Sequence, residues 1–320
     1  MLDLSIVVPV YNEEETVETL CERLHQEVSA IGKAYEIILV DDGSRDRTWE
    51  LMGQCAQKYP NFVLVRFRRN FGQTAAMSAG FKESRGEVVI TLDADLQNDP
   101  KDIPKLLERL TDDVDVVSGW RKDRKDNVIR RIPSRLANRL ISKITGVHLH
   151  DYGCTLKAYR SNVIKDVKLY GEMHRFIPAL AHWVGGRVDE AVVTHHPRLA
   201  GEAKYGKFAL GRTFRVILDL ITVKFLMRYA LGPMQIFGKI GGFFGLLGLF
   251  LFGVMFFDFF FINHETGTQL FKRPFWVMSA FMFILFCIQF ISMGLLAEIQ
   301  IRTYHEAQDK ETYVVREIIR

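Results

Sequence analysis

The chain has 320 residues and a nearly even charge balance, with 42 Lys or Arg against 38 Asp or Glu and a formal net charge of +4. This length is typical of about two domains, and the even balance disfavours a dedicated nucleic-acid-binding protein, which would carry a far more basic domain. The four cysteines form no Cys-x-x-Cys pair. They predict neither a zinc site nor a disulfide framework, and they fit a reducing compartment. Met1-Leu2-Asp3 lacks the basic start of a signal peptide, so none is predicted.

The first 205 residues alternate apolar strands with helical patterns. Apolar runs predict five strands, over Leu4–Val10, Tyr35–Val40, Phe62–Phe67, Glu87–Leu92 and Asp115–Ser118. Between them, one helix is predicted to begin in a capping box at Asn12, a second to end near Tyr59, and a third to follow Gly72. The alternation predicts an α/β domain with a mostly parallel sheet and helices on both faces. In such sheets, ligands bind at the carboxyl ends of the strands.

Three polar clusters follow strands of this predicted sheet: Tyr11-Asn12-Glu13, Asp41-Asp42-Gly43 and Asp93-Ala94-Asp95. The third is the most informative, because its apolar strand runs directly into two carboxylates and Gln97 follows them. Carboxylate and amide oxygens suit a hard cation such as Mg²⁺ or Mn²⁺, which is commonly shared with substrate phosphates. An acidic turn is the alternative interpretation of this pair alone, and the other two clusters favour a site. The chain has neither Gly-x-Gly-x-x-Gly nor the P-loop pattern, which disfavours dinucleotide and P-loop nucleotide binding.

Two long apolar runs dominate the C-terminal part of the chain. Met234–Ile262 contains only Lys239 and Asp258 as charged residues, and Phe275–Ala297 contains none. Each run exceeds the roughly 20 apolar residues that span a bilayer. The lack of a polar face disfavours the alternative, a pair of buried core helices. The short link Asn263–Pro274 predicts a transmembrane helical hairpin, whose two flanks then lie on one side of the membrane.

The flanks of this hairpin carry more Lys and Arg than its link, which predicts a cell-membrane protein with the N-terminal half and both termini in the cytoplasm. Lys207–Leu231 mixes bulky apolar residues with Lys and Arg, and it predicts amphipathic interfacial helices. The Gly-x-x-x-Gly patterns at Gly238/Gly242 and Gly241/Gly245 are compatible with close helix packing and a homo-oligomer. The predicted division is a domain over 1–205, an amphipathic juxtamembrane segment over 206–232, two transmembrane helices within 233–300 (about 234–262 and 275–297), and a cytoplasmic tail over 301–320.

Five motifs cover the N-terminal half from end to end: Val7-Val8-Pro9-Val10-Tyr11-Asn12-Glu13, Val40-Asp41-Asp42-Gly43-Ser44, Arg69-Asn70-Phe71-Gly72-Gln73, Asp93-Ala94-Asp95-Leu96-Gln97 and Arg198-Leu199-Ala200-Gly201-Glu202-Ala203-Lys204-Tyr205. On these motifs the chain resembles the family-2 glycosyltransferases of the GT-A (Rossmann-like) fold. It resembles more closely the polyprenyl-phosphate glycosyltransferases related to dolichol-phosphate mannose synthase. The paired C-terminal helices resemble the GtrB-type subgroup, which makes undecaprenyl-phosphate glucose. One departure is that the last motif often reads Gly-x-Ser-Lys in the family, where this chain has Gly201-Glu202-Ala203-Lys204.

The resemblance implies a role for each matching residue. The implied donor-binding residues are Pro9, Tyr11, Glu13, Val40, Asp42, Gln73, Asp93, Ala94, Arg198 and Lys204. The implied metal ligands are Asp95 and Gln97, and the implied catalytic residues are Asp93, Asp95, Asp151 and Arg198. The implied acceptor-phosphate ligands are Arg121, Arg130, Arg131 and Ser134, in a basic segment whose alternative role is a solvated or headgroup-facing surface. A transition-metal site at His148-x-His150-Asp151 is a less favoured alternative.

The implied reaction is the inverting transfer of a sugar, first of all glucose from UDP-glucose, onto undecaprenyl phosphate at the cytoplasmic membrane face, with Mg²⁺ or Mn²⁺ as cofactor. Other donors remain open, namely GDP-mannose, UDP-N-acetylglucosamine or a modified UDP-sugar. A processive polysaccharide synthase is disfavoured, because the chain lacks a Gln-x-x-Arg-Trp motif and further membrane helices. The alternative from another class is a non-catalytic membrane scaffold that binds nucleotide-sugars.

Overall fold

The computed structural model describes residues 2–122, 138, 141–142, 145–167, 169, 173–197, 233–258, 260, 274–307, 313 and 315–319. The chain divides into two compact units. The first is Met1–Val223 together with Glu311–Arg320, and the second is Lys224–Lys310. The predicted amphipathic segment over 206–232 lies outside the described residues.

The described part of the first unit contains eight strands, six α-helices and two 3₁₀ turns. The strands are β1 (Leu4–Val10), β2 (Tyr35–Asp41), β3 (Phe62–Phe67), β4 (Val88–Thr91), β5 (Val116–Trp120), β6 (Lys157–Arg160), β7 (Val188–Val192) and β8 (Val315–Ile319). The helices are α1 (Val17–Ser29), α2 (Thr48–Lys58), α3 (Gln73–Glu83), α4 (Ile103–Arg109), α5 (Ser161–Asp166) and α6 (Ile177–Trp183). The 3₁₀ turns are Pro100–Asp102 and Met173–Phe176.

The strands form one mixed sheet in the order β7-β5-β6-β4-β1-β2-β3-β8. Four neighbouring pairs are parallel, namely β1/β2, β1/β4, β2/β3 and β5/β7, so the expected mostly parallel sheet is confirmed. All seven residues of β2 are buried. Because successive side chains of a strand point to opposite faces, this burial shows that both faces of the central sheet are covered, as is usual for parallel strands.

Two antiparallel strands shape the rest of the sheet. β6 runs against β4 and β5, with Lys157 opposite both Thr91 and Ser118. This direction brings the chain that precedes β6 to the edge where β1, β2 and β4 end. At the far side, β8 runs against β3, so residues 315–319 of the predicted C-terminal tail form a strand of the sheet.

The second unit contains two long apolar helices, α7 (Pro233–Phe257) and α8 (Pro274–Ala307). Within them, Met234–Phe257 and Pro274–Ala297 are long and apolar enough to cross a membrane. Only 11% of each stretch is buried inside the protein, which argues against the alternative of core helices. Large apolar side chains such as Leu246 and Phe275 are more than 70% exposed.

Glycines allow α7 and α8 to pack closely. A β-carbon at Gly241 would lie 3.0 Å from the Cys287 carbonyl oxygen, and one at Gly245 would lie 2.9 Å from the Cys287 Sγ. A β-carbon at Gly238 or Gly242, by contrast, would have no described atom within 4 Å outside the backbone of its own helix. The second of the two predicted Gly-x-x-x-Gly patterns is therefore at the helix contact.

Candidate active site

The carboxyl ends of β1, β2 and β4 meet at one edge of the sheet. The register pairs Val10 with Asp41 and Val7 with Thr91, so the three polar clusters predicted at strand ends lie on adjacent strands. This edge is where ligands bind in parallel α/β sheets.

The loops after β1 and β2 are joined by hydrogen bonds. The Asn12 backbone N–H donates to Ser44 Oγ at 2.9 Å, the Arg45 N–H donates to Asn12 Oδ1 at 2.9 Å, and the Glu13 N–H donates to Thr48 Oγ1 at 2.8 Å. Asn12 has a positive φ of 52°, which is uncommon outside glycine but tolerated by asparagine.

The predicted capping box at Asn12 is wrong. Helix α1 begins at Val17, after a turn, and Thr16 precedes it without a side-chain cap. The Glu13 carboxylate instead accepts a hydrogen bond from Thr16 Oγ1 at 2.9 Å. Asn12 joins two loops of the site because its side chain reaches the chain after β2 rather than its own helix.

Asp42 is held by the loop that precedes α3. Its two carboxylate oxygens accept hydrogen bonds from the backbone N–H groups of Phe71, at 2.7 Å, and Gly72, at 2.9 Å. Burial raises the pKa of Asp42 to about 6, although these two hydrogen bonds oppose the shift. The neighbouring Gly43 has a φ of 71°, and a β-carbon there would collide with the backbone of Arg69. The two loops are therefore packed at backbone distance, which explains the Arg69–Gln73 motif.

The same motif reaches the carboxylates after β4. Gln73 Nε2 donates to Asp93 Oδ1 at 2.7 Å. Burial, followed by repulsion from Asp95, raises the pKa of Asp93 to about 6, while a hydrogen bond from Thr155 and the charges of Arg121 and Lys157 oppose that rise. Asp93 and Asp95 are thus close enough to repel each other in a partly desolvated site.

The turn after Asp95 is fixed at both ends. The Gln97 backbone N–H donates to Asp95 Oδ1 at 3.1 Å, and the Gln97 carbonyl accepts from the His196 N–H at 2.9 Å. Leu96 between them has a φ of 58°, a rare and strained conformation for a leucine. Such strain is often found at functional sites. The turn also lies against the chain that leads into Arg198, because Asn98 bridges to His195.

The donor set suits a hard divalent cation. Asp93 and Asp95 repel each other, and a cation between carboxylate oxygens relieves such repulsion. Among the described residues, no group of three or more His, Cys, Asp or Glu side chains is placed to hold a metal. A small protein donor set is the usual arrangement for Mg²⁺, which binds one or two carboxylates together with water and substrate phosphates.

A buried ion pair lies beside this site. Arg121 Nε donates to Asp151 Oδ2 at 2.7 Å, and Arg121 Nη2 donates to Asp151 Oδ1 at 3.0 Å. The two side chains are only 11% and 4% exposed. Burial alone would lower the pKa of Arg121, but the hydrogen bonds and charge of Asp151 raise it overall. Arg121, expected at the acceptor phosphate, is thus already engaged in a bidentate pair with Asp151.

Lys157 is a site residue that the sequence did not reveal. It is 2% exposed, and its Nζ donates to the backbone carbonyls of Cys154 and Tyr152. Burial lowers its pKa, and its charge acts on Asp93. The sequence feature that could have indicated a buried lysine is its position inside the otherwise apolar run Leu156–Tyr159.

The His148-x-His150-Asp151 pattern does not form a metal site in the described structure. His150 stacks on Trp120, with ring centroids 4.1 Å apart, and its Nδ1 contacts Glu190. Asp151 faces Arg121 instead. His150 and Asp151 therefore belong to separate contacts.

The remaining predicted site residues differ in how far the structure describes them. Pro9, Tyr11 and Glu13 are partly exposed at the end of β1, whereas Val40 and Ala94 are buried. Five predicted residues lie outside the described part of the chain, namely Arg130, Arg131, Ser134, Arg198 and Lys204.

Comparisons with known proteins agree with this architecture. Residues 5–168 match the family described as Glycosyl transferase family 2. The chain is 47% identical over 329 residues to the dodecaprenyl-phosphate galacturonate synthase of Rhizobium johnstonii, which covers 99% of this chain and 93% of that protein. It is 40% identical over 318 residues to the undecaprenyl-phosphate 4-deoxy-4-formamido-L-arabinose transferase of Edwardsiella ictaluri, covering 99% of this chain and 94% of the relative.

Solved structures show the same fold at low sequence identity. The glucosyl-3-phosphoglycerate synthase of Mycobacterium tuberculosis, in complex with Mn²⁺ and UDP-glucose, aligns with a TM-score of 0.52 and 17% identity, covering 70% of this chain and 79% of that one. The expected GT-A fold is confirmed. With the family match and two relatives along nearly its whole length, the chain belongs to glycosyl transferase family 2 and, within it, to the GtrB-like polyprenyl-phosphate glycosyltransferases.

Proposed function

We propose that the protein is an inverting transferase that moves a sugar from a nucleotide diphosphate to a polyprenyl phosphate in a single displacement. The observation that carries this proposal is the network at the end of β4, where Gln73 holds Asp93 and the 69–73 loop also holds Asp42. One loop thus ties the carboxylate expected at the nucleoside to the carboxylates expected at the diphosphate.

Asp95 and Gln97 would hold the metal, Mg²⁺ or Mn²⁺. The bound metal would stabilise the negative charge that develops on the departing diphosphate. Asp93, fixed by Gln73, orients the donor beside it. Tyr11, Glu13 and Asp42 would contact the nucleoside from the ends of the two neighbouring strands.

The proposed acceptor does not require a general base. A phosphate oxygen is already anionic at neutral pH, so no proton must be removed before it attacks the anomeric carbon. Asp151 is tied to Arg121 in a buried pair, and we assign it to positioning Arg121 rather than to accepting a proton. Arg130, Arg131 and Ser134 would complete the proposed phosphate seat, and Arg198 and Lys204 would bind the donor diphosphate.

The proposal also ranks the possible donor sugars. The family resemblance implies UDP-glucose, but the relative with 47% identity is named for galacturonate and another relative for 4-deoxy-4-formamido-L-arabinose. We therefore place UDP-galacturonate first and UDP-glucose second. The acceptor is a polyprenyl phosphate of the undecaprenyl or dodecaprenyl length.

A donor screen tests this assignment. The purified full chain is incubated with undecaprenyl phosphate, Mg²⁺ or Mn²⁺, and in turn UDP-galacturonate, UDP-glucose, UDP-N-acetylglucosamine or GDP-mannose. We expect transfer with one UDP-sugar and loss of transfer in excess EDTA. If the protein binds a nucleotide-sugar tightly but transfers no sugar to any lipid phosphate, the result would support the non-catalytic scaffold instead.

The proposed topology places the catalytic unit and both termini in the cytoplasm. The proposed division of the chain is the predicted one, namely a domain, a juxtamembrane segment, a hairpin and a C-terminal segment. Residues 308–314 are all that separate α8 from β8, and seven residues cannot cross a bilayer that needs roughly 20. The pairing of β8 with β3 supports the proposal that the C-terminal segment is in the cytoplasm together with the sheet.

Reporter fusions test that topology. A reporter that is active only in the cytoplasm should work when fused after Arg320 and fail when inserted in the link Asn263–Pro274. A reporter that is active only outside the cytoplasm should give the opposite pattern. Activity of the second reporter after Arg320 would refute the proposed orientation.

A further inference from the structure

The C-terminal strand lies beside a loop of the donor site. β8 pairs with β3 from Leu64 opposite Ile319 to Phe67 opposite Val315. The strand pairing thus places the chain just before β8 next to the carboxyl end of β3. That end leads directly into the 69–73 loop, which holds Asp42 and Asp93.

Tyr313 makes the contact at this point. It is 7% exposed, and its ring stacks on Phe67, with centroids 5.1 Å apart and an angle of 16° between the ring planes. The Phe67 ring in turn meets the Phe71 ring edge-on, with centroids 5.7 Å apart and an angle of 90°. Both separations lie within the range in which aromatic pairs attract each other.

Phe71 connects this stack to the carboxylate. Its backbone N–H donates to Asp42 Oδ1 at 2.7 Å, and its ring also lies 4.4 Å from the Arg69 guanidinium. The ring contacts restrain the side chain of Phe71 and thereby help to hold the loop from which its N–H donates. An unbroken series of contacts therefore runs from Tyr313 through Phe67 and Phe71 to Asp42.

We propose that Tyr313, supplied by the chain that follows the membrane hairpin, is a positioning residue of the donor site. This inference rests on the proposed function, in which Asp42 binds the nucleoside. Without the Tyr313 ring, Phe67 loses the partner on one face and Phe71 can shift, so Asp42 is no longer held in the geometry that the nucleotide needs.

Steady-state kinetics of the full chain in detergent, with both substrates varied, test the inference. Tyr313→Ala is expected to raise the KM for the nucleotide-sugar about threefold to tenfold, which corresponds to the strength of one aromatic pair. The kcat at saturating donor and the KM for the polyprenyl phosphate should stay within about twofold of wild type, a smaller change than the expected rise in the donor KM. Tyr313→Phe keeps the ring and should restore the wild-type KM. Ile319→Ala is the matched control, because Ile319 is partly exposed and lies at the end of β8 that is farther from Tyr313 in the chain. It should leave all three constants unchanged.

Two further measurements keep the outcomes distinct. Asp42→Asn is assayed in parallel: if its donor KM equals that of wild type, the nucleoside assignment in the proposed function is wrong. If Asp42→Asn raises the donor KM and Tyr313→Ala does not, or if Tyr313→Ala changes both KM values equally, the positioning role is overturned. Should Tyr313→Ala fail to fold, Tyr313→Leu keeps most of the buried volume without the ring, and the same donor-specific rise in KM is expected of it.

Discussion

Replacing Asp95 with Asn is expected to lower the rate of sugar transfer about a hundredfold to a thousandfold, which is typical for the loss of a group that stabilises developing charge. The amide has nearly the shape of the carboxylate, so the turn to Gln97 keeps its backbone hydrogen bond acceptor. The Asn side chain lacks the negative charge with which the Asp95 carboxylate would hold the divalent cation. Initial rates of labelled sugar transfer into lipid, measured over a range of Mg²⁺ and Mn²⁺ concentrations, provide the test.

The matched control is Asp112→Asn, which removes the charge from an aspartate with a fully exposed side chain. Its rate should equal that of wild type. If Asp95→Asn retains more than about half of the wild-type rate, far from the expected loss, Asp95 does not bind the metal and the cation site lies elsewhere.

The second large effect is expected from breaking the buried ion pair. Arg121→Ala leaves the Asp151 carboxylate buried and without its bidentate partner. Such a change typically costs about 3–5 kcal/mol of folding free energy. We expect a clear fall in the thermal unfolding temperature in detergent, together with loss of transfer activity.

A double variant separates stability from chemistry. Arg121→Met combined with Asp151→Leu replaces both charges by apolar groups of similar size, which is often neutral for stability. We expect the double variant to recover stability and to remain inactive. Arg47→Ala breaks the exposed pair with Glu50 and serves as control, with no measurable shift expected. If Arg121→Ala unfolds at the same temperature as Arg47→Ala, the buried ion pair does not stabilise the fold as expected.

The central strands and the site edge could be predicted because their determinants are local. Mostly apolar runs mark Leu4–Val10 and Phe62–Phe67, and both strands have those bounds in the structure. Because parallel strands end at a common edge, the carboxylates after β1, β2 and β4 could be placed together without coordinates. The transmembrane candidates were equally visible, since length and apolarity alone define them.

The antiparallel strands could not be predicted in this way. β6 (Lys157–Arg160) and β8 (Val315–Ile319) are short and carry charged residues, so neither has the apolar run of a central strand. Their place depends on partners far away in the chain. The site contributions of Lys157 and Tyr313 were missed with them.

The pairing of two predicted site residues could not be recognised from their spacing in the sequence. Arg121 and Asp151 were each expected near the acceptor, but they are 30 residues apart, and no periodic pattern connects them. Only the antiparallel direction of β6 brings Asp151 to the end of β5. The Arg69–Gln73 motif was likewise recognised by resemblance, while its double contact with Asp42 and Asp93 is visible only in the structure.

The most direct test of the proposed reaction is the identity of its two products. The purified full chain is incubated with its UDP-sugar donor, Mg²⁺ and undecaprenyl phosphate, and both products are analysed by mass spectrometry. We predict one sugar on a lipid that carries a single phosphate, and UDP in equal amount, since the bond from the anomeric carbon to the diphosphate breaks and a new one forms to the lipid phosphate. A lipid with two phosphates and release of UMP would contradict the account.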